Sequence, residues 1–187
     1  MKKFTLILIC SFLLSVASPA FAYNMNHFTD DFKVSDALLL LEKIGATEVF
    51  DNLQENSVKI VFYDLALLSY SYRNDYAISG ENNFGERYIL INTKYRKCSD
   101  EEIACLIAHE SCHKAKVATL AEETLATQTE AKYWIRLKQA NKTYQPTDLN
   151  KRLDNLAYLY KHSDKNNNQI QTRIANSAFY RQQLALE

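Results

Sequence analysis

Glycine and proline are scarce: the chain has three of one and two of the other in 187 residues. So little glycine leaves no obvious Gly-hinged lid, and the small size of the chain argues for an open cleft rather than a closed chamber. Neither sign of charge is in excess, with 22 basic against 22 acidic residues. There is therefore no basic excess to point to nucleic acid or an anionic membrane as a partner. There is no internal repeat and no low-complexity segment. The one long apolar run, at Phe4–Val16, is too short for a convincing membrane span.

That run has a different meaning. Met1-Lys2-Lys3 is a short positive region before it, and Ala20-Phe21-Ala22 after it is an A-x-A cleavage site. Residues 1–22 thus read as a bacterial secretory signal peptide cut after Ala22. The expectation is a periplasmic or secreted protein with no stable membrane anchor. Losing Lys2 and Lys3 leaves residues 23–187 slightly acidic. That length suits one domain with a real core. Twelve tyrosines argue against disorder. Three cysteines remain, Cys98, Cys105 and Cys112, an odd number even where export permits disulfides. Cys105 and Cys112 are about 10 Å apart along one helix and cannot bridge each other. Free, mostly buried thiols are expected.

Ser35-Asp36 reads as the cap of a first helix that Gly45 ends. Val58–Tyr63 reads as a strand, and Leu65–Tyr72 fits helix and strand alike. Tyr76–Ser79 and Arg87–Asn92 read as the two strands of a hairpin, with turn residues at 80–85. Ser99-Asp-Glu-Glu102 is a capping box that starts a helix near Asp100, expected to run to about Lys116. Thr119-Leu-Ala-Glu122 is a second box, opening a long helix over 120–140. The short link between them predicts antiparallel neighbours. Asp148–His162 and Gln169–Leu186 read as two more helices, which carry no chemical motif and are expected to complete the core. The fold class is therefore α+β: a small antiparallel or mixed sheet beside one helix, then a mainly helical C-terminal part.

The helix that starts at Asp100 carries His109-Glu110-Ser-Cys-His113. Residues four apart share a helical face, so His109 and His113 can present two imidazoles to one metal ion. Glu110 is placed to reach a metal-bound water as its base. Zinc is the expected metal, since it acidifies such a water and polarises carbonyls. A catalytic zinc normally takes a third protein ligand, and the next helix offers Glu122, Glu123 and Glu130. Glu123 follows the same stripe as Ala126, Glu130, Trp134 and Leu137, which predicts a core-facing side chain. In an antiparallel pair Glu123 also lies level with His113, whereas Glu130 lies beyond His109. Glu123 is thus the expected ligand. Glu130 is a candidate hydrogen-bond acceptor from a ligand histidine, and Glu122 is expected to turn back to the Thr119 amide. Cys105 shares a face with His109 and Cys112, which leaves a thiolate ligand as an alternative. His27 and His162 are expected on the surface.

With His109-Glu110-Ser-Cys-His113 followed by Glu123-Thr-Leu-Ala126, residues 86–137 resemble the gluzincin-type zinc metallopeptidases. The chain departs from their commoner pattern in having no Asp three or four residues after Glu123. The resemblance implies a zincin-like fold, a Zn2+ cofactor, and hydrolysis of peptide bonds in a peptide or protein substrate. It implies a substrate paired with the exposed edge of Arg87–Asn92, and a Tyr or His as oxyanion donor, which no sequence signal singles out among the twelve tyrosines, His27 and His162. Three alternatives stand beside it: a zinc-binding protein without hydrolase activity, a helical interaction protein with a chance motif, and an amidase of cell-wall peptides.

Overall fold

The structure is a computed structural model that describes residues 23–114, 117–140, 146–164, 167–177 and 180. The expected signal peptide and most of the expected helix beyond Asn176 lie outside the described residues. Among these residues the chain is α+β, with six α-helices and one mixed three-stranded sheet.

Helix α1 spans Phe32–Lys43, earlier than Ser35 implied. Asp31 is the cap, its carboxylate accepting from the Lys33 amide, and Ser35 lies inside the first turn. A second helix, α2 at Thr47–Glu55, has no expectation behind it. It lacks a side-chain cap at Ala46, and its buried side chains Val49, Phe50 and Leu53 are too few to mark a long period. Strand β1 follows at Lys59–Tyr63, and the ambiguous segment after it resolves into short 3-10 turns at Leu65–Leu67 and Tyr70–Asn74.

Strands β2, Ala77–Glu81, and β3, Arg87–Asn92, form the expected antiparallel hairpin. Its turn is tied by Asn82, whose side-chain oxygen accepts from the amides of Phe84 and Glu86. Gly85 takes a left-handed φ of 80° there. The sheet order β1–β3–β2 corrects one expectation: Arg87–Asn92 is the central strand, paired parallel to β1 and antiparallel to β2. It offers no exposed edge. The outer edge of β1 is partly occupied, because the Ile60 amide donates to Phe28 O and Ile60 O accepts from the Thr29 hydroxyl. The edge left for strand pairing is that of β2. The Asn92 amide donates to Tyr76 O and the Asn82 amide to Glu86 O. Antiparallel alternation therefore turns the backbone groups of Ala77, Ser79 and Glu81 outward.

Helix α3 spans Asp100–Glu110 and is the centre of the packing. Its capping box is formed in both directions, between Ser99 and Glu102. Asp100, Glu101 and Glu102 complement the dipole of its first turn. Every residue from Glu102 to Glu110 is buried, which fits a helix covered on all sides. It packs on the sheet and α1 and, across the molecule, on α4. The helix stops at Glu110, well before Lys116, so His113 lies beyond its end. Helix α4 spans Leu120–Ala140, and α5 and α6, Asp148–Lys161 and Gln169–Asn176, pack on it. Thr147 ties α5 to α3 by donating its hydroxyl to the Glu102 carboxylate. Cys98, Cys105 and Cys112 are free, the last two buried. His27 and His162 are exposed.

Candidate metal centre

The stripe Glu123, Ala126, Glu130, Trp134 and Leu137 of α4 is wholly buried and faces α3. The helices run antiparallel, since Glu123 meets His113 while Glu130, seven residues on, meets His109. Ala126 lies between the two acids and lets the helices approach closely.

This packing brings His109, His113 and Glu123 together, with one ligand atom of each within 4.8 Å of the others. Nε2 of His113 is 3.5 Å from Glu123 Oε1, and Nε2 of His109 is 3.8 Å from Oε2. Tetrahedral zinc with bonds near 2.0–2.1 Å needs ligand atoms about 3.4 Å apart, so small side-chain adjustments suffice. The other ring nitrogens face carboxylates. Nδ1 of His109 is 3.2 Å from Glu130 Oε2, and Nδ1 of His113 is 3.9 Å from Glu122 Oε2. A hydrogen bond to such a partner would fix which nitrogen is left for a metal, and the His113–Glu122 separation is too long for one. The His109–Glu130 approach is short enough for a hydrogen bond but poorly aligned for one.

The donor set fits a divalent cation for a second reason. Glu123 Oε2 is buried without a hydrogen-bond donor, and burial is the main cause holding the Glu123 carboxyl above its usual range. An unpaired buried carboxylate oxygen is costly, and a cation would relieve it. Burial pulls His109 down, but Glu130, Glu110 and Glu123 together outweigh it and raise the ring. In His113 burial and the His109 charge win over Glu122 and lower it. The neighbouring carboxylates thus favour a proton on His109, which a bound cation would have to displace, whereas His113 is held towards the neutral form that a metal ligand requires.

Glu110 is buried beside this group, and burial pushes its carboxyl up to about 7, against the opposing His109 charge and a hydrogen bond with Ser79 of β2. Glu130 is fully buried in a two-pronged ion pair with Arg152 of α5, one arm of which measures 2.9 Å. Burial alone would raise Glu130; the Arg152 charge and the His109 contact hold it down to about 2.

The group opens on a cleft of about 660 Å3 between the β2 edge and the helices. Tyr76, Ala77, Ile78 and Ser79 line one side, and Arg152 and Tyr180 another. The last two correct the expectation that the C-terminal segments only complete the core. No local pattern marks either residue; they arrive by tertiary packing from 29 and 57 positions after Glu123. The Arg152 guanidinium also lies 4.9 Å from the Tyr76 ring. Burial and the charges of Glu123, Glu130 and Glu110 push the Tyr180 hydroxyl up to about 12. Cys105 lies in the apolar core and is not part of the metal group. A second groove, of about 690 Å3 on the outer sheet face, is lined by no histidine or cysteine. Comparison with family models, with curated proteins and with solved structures finds no match to this chain.

Proposed function

We propose that the protein is a secreted or periplasmic zinc-dependent metallopeptidase with a zincin-like arrangement. The observation that carries this reading is the convergence of His109, His113 and Glu123 at zinc-compatible separations, with Glu110 buried beside them in an open cleft. A zinc ion held by those three residues would supply Lewis acidity, polarising a carbonyl and acidifying a water.

The chain's own residues divide the rest. An extended peptide lies along the outward backbone groups of Ala77 and Ser79, adding a strand to β2. Glu110 accepts the proton of the attacking water and later delivers it to the leaving amine; a carboxyl near neutrality is suited to both transfers. Tyr180, which keeps its proton at neutral pH, donates to the oxygen on which negative charge develops. Glu130, anchored by Arg152, holds the His109 ring in orientation.

The test is zinc per chain and hydrolysis of a mixed peptide library by the purified protein, beside Glu110→Gln. The expected result is one zinc in both proteins and turnover in the wild type alone. Zinc binding with no hydrolysis of any peptide favours the carrier reading, and absence of stoichiometric zinc after reconstitution ends the metal reading.

A further inference from the structure

His113 is not held by the helix that carries the rest of its motif. Helix α3 ends at Glu110, and Ser111 caps it. The chain then tightens: Cys112 donates to His109 O at 3.0 Å and His113 to Glu110 O at 3.3 Å. These are three-residue bonds in place of four-residue ones, and they leave the final carbonyls of the turn without helical donors. A ligand in that position needs another anchor.

The anchor comes from the sheet. Arg87, the first residue of the central strand β3, donates Nη2 to His113 O at 2.6 Å. Its Nη1 lies 3.4 Å from Lys114 O and 3.2 Å from Asn56 Oδ1, so the same guanidinium reaches the next carbonyl and is itself steadied by the end of α2. From the other side, the Lys114 amide donates to Glu122 Oε1 at 2.6 Å. The backbone of His113 and Lys114 is thus gripped between β3 and the start of α4.

We propose that Arg87 is a positioning residue for the metal centre: its guanidinium clamps the backbone that carries His113, replacing the helix that stops short of it. The proposal rests on the metal reading of His113. The planar fork is what the role requires, because it serves two successive carbonyls and Asn56 at once. A lysine reaches only one of them.

The test compares Arg87→Gln, Arg87→Lys and Asn56→Ala with Lys151→Ala, whose side chain pairs, among the described residues, with exposed Asp148 on α5. Zinc affinity is measured by chelator competition and ligand geometry by the visible spectrum of the cobalt-loaded protein. Amide exchange at residues 111–114 is measured without metal. Arg87→Gln should weaken zinc on the order of 10- to 100-fold, the range seen when a ligand loses its support. It should also change the cobalt spectrum and speed exchange at His113 and Lys114. Arg87→Lys should fall between it and the wild type, Asn56→Ala should move the same way by less, and Lys151→Ala should match the wild type. Wild-type zinc affinity and unchanged exchange in Arg87→Gln would overturn the clamp. Should Arg87→Gln fail to fold, Arg87→Lys and Asn56→Ala decide on the same readouts. Exchange in the metal-free protein separates the two ideas, because a clamp that holds there stands even where zinc or turnover is absent.

Discussion

Glu130 lies 3.2 Å from Nδ1 of His109 on one side and is gripped by Arg152 on the other. The acid that the sequence left as a rival ligand is thus turned away from the metal group, while Glu123, two turns nearer the start of the helix, faces both histidines. The two acids should respond differently to substitution. Glu123→Ala should lose stoichiometric zinc. Glu130→Gln should keep it with affinity lowered about 10- to 100-fold, since it loosens the orientation of His109 without removing a ligand; it also leaves the Arg152 charge without its buried partner, so its fold stability is measured alongside. Equilibrium dialysis with elemental analysis separates these outcomes, and equal loss in both would move Glu130 into the ligand set.

The same ion pair makes a prediction about acid. The Glu130 carboxyl is held down to about 2 in the fold, below its unfolded value. It therefore contributes stability above pH 4.5 that is lost as pH falls toward 2. Arg152→Met strands a buried carboxylate and should cost about 3–5 kcal/mol at neutral pH. It should also flatten the acid limb, because Glu130 then takes up its proton nearer neutrality. Urea unfolding of the metal-free proteins between pH 3 and 7 reads both effects. A variant as stable as the wild type at pH 7 would show that the pair contributes nothing.

What was legible in the sequence follows from how local each signal is. The capping box at Ser99 and the bounds of α4 rest on residues three or four apart, and both elements lie where the sequence puts them. Strand β3 is a continuous apolar run ended by Asn92, and its limits also match. The end of α3 was not legible: no Gly or Pro marks Ser111, and the apolar run gives way gradually. Nor does any periodicity say which strand takes the middle of a sheet, so the sequence does not distinguish β3, the central strand, from β2, which lies at an edge. Arg87, Arg152 and Tyr180 each reach the site through packing between distant segments, and a lone Arg or Tyr carries no mark of that in its neighbours.

The proposed role of Glu110 as base is set against stability. The folded value of its carboxyl, about 7, lies above the ordinary 4.5, so the metal-free fold holds an extra proton between those values. By linkage, stability falls as pH rises from about 4.5 to about 7 and the loss is complete above that. Ionising the buried carboxyl costs on the order of 3 kcal/mol. Glu110→Gln removes the charge and that cost. The variant should abolish turnover and yet leave the metal-free protein about 2–3 kcal/mol more stable at pH 8, with the gain fading toward pH 4.5. Thermal unfolding across pH checks it, and a gain that is independent of pH would place the cause elsewhere than in this ionisation.

Tyr180 offers the sharpest test of the division of labour in the cleft. It lines the same cavity as Glu110 and the metal group, and its hydroxyl, pushed up to about 12, stays protonated across the neutral range. A group that donates only to charge developing in the transition state lowers kcat when removed and leaves KM nearly unchanged. Tyr180→Phe deletes the hydroxyl alone. Zinc content should stay at the wild-type level while kcat on a cleaved peptide falls about 100- to 1000-fold, the usual cost of one oxyanion donor. A rise in KM at constant kcat would instead make Tyr180 a substrate-binding wall, and normal kinetics would leave the developing charge to another donor.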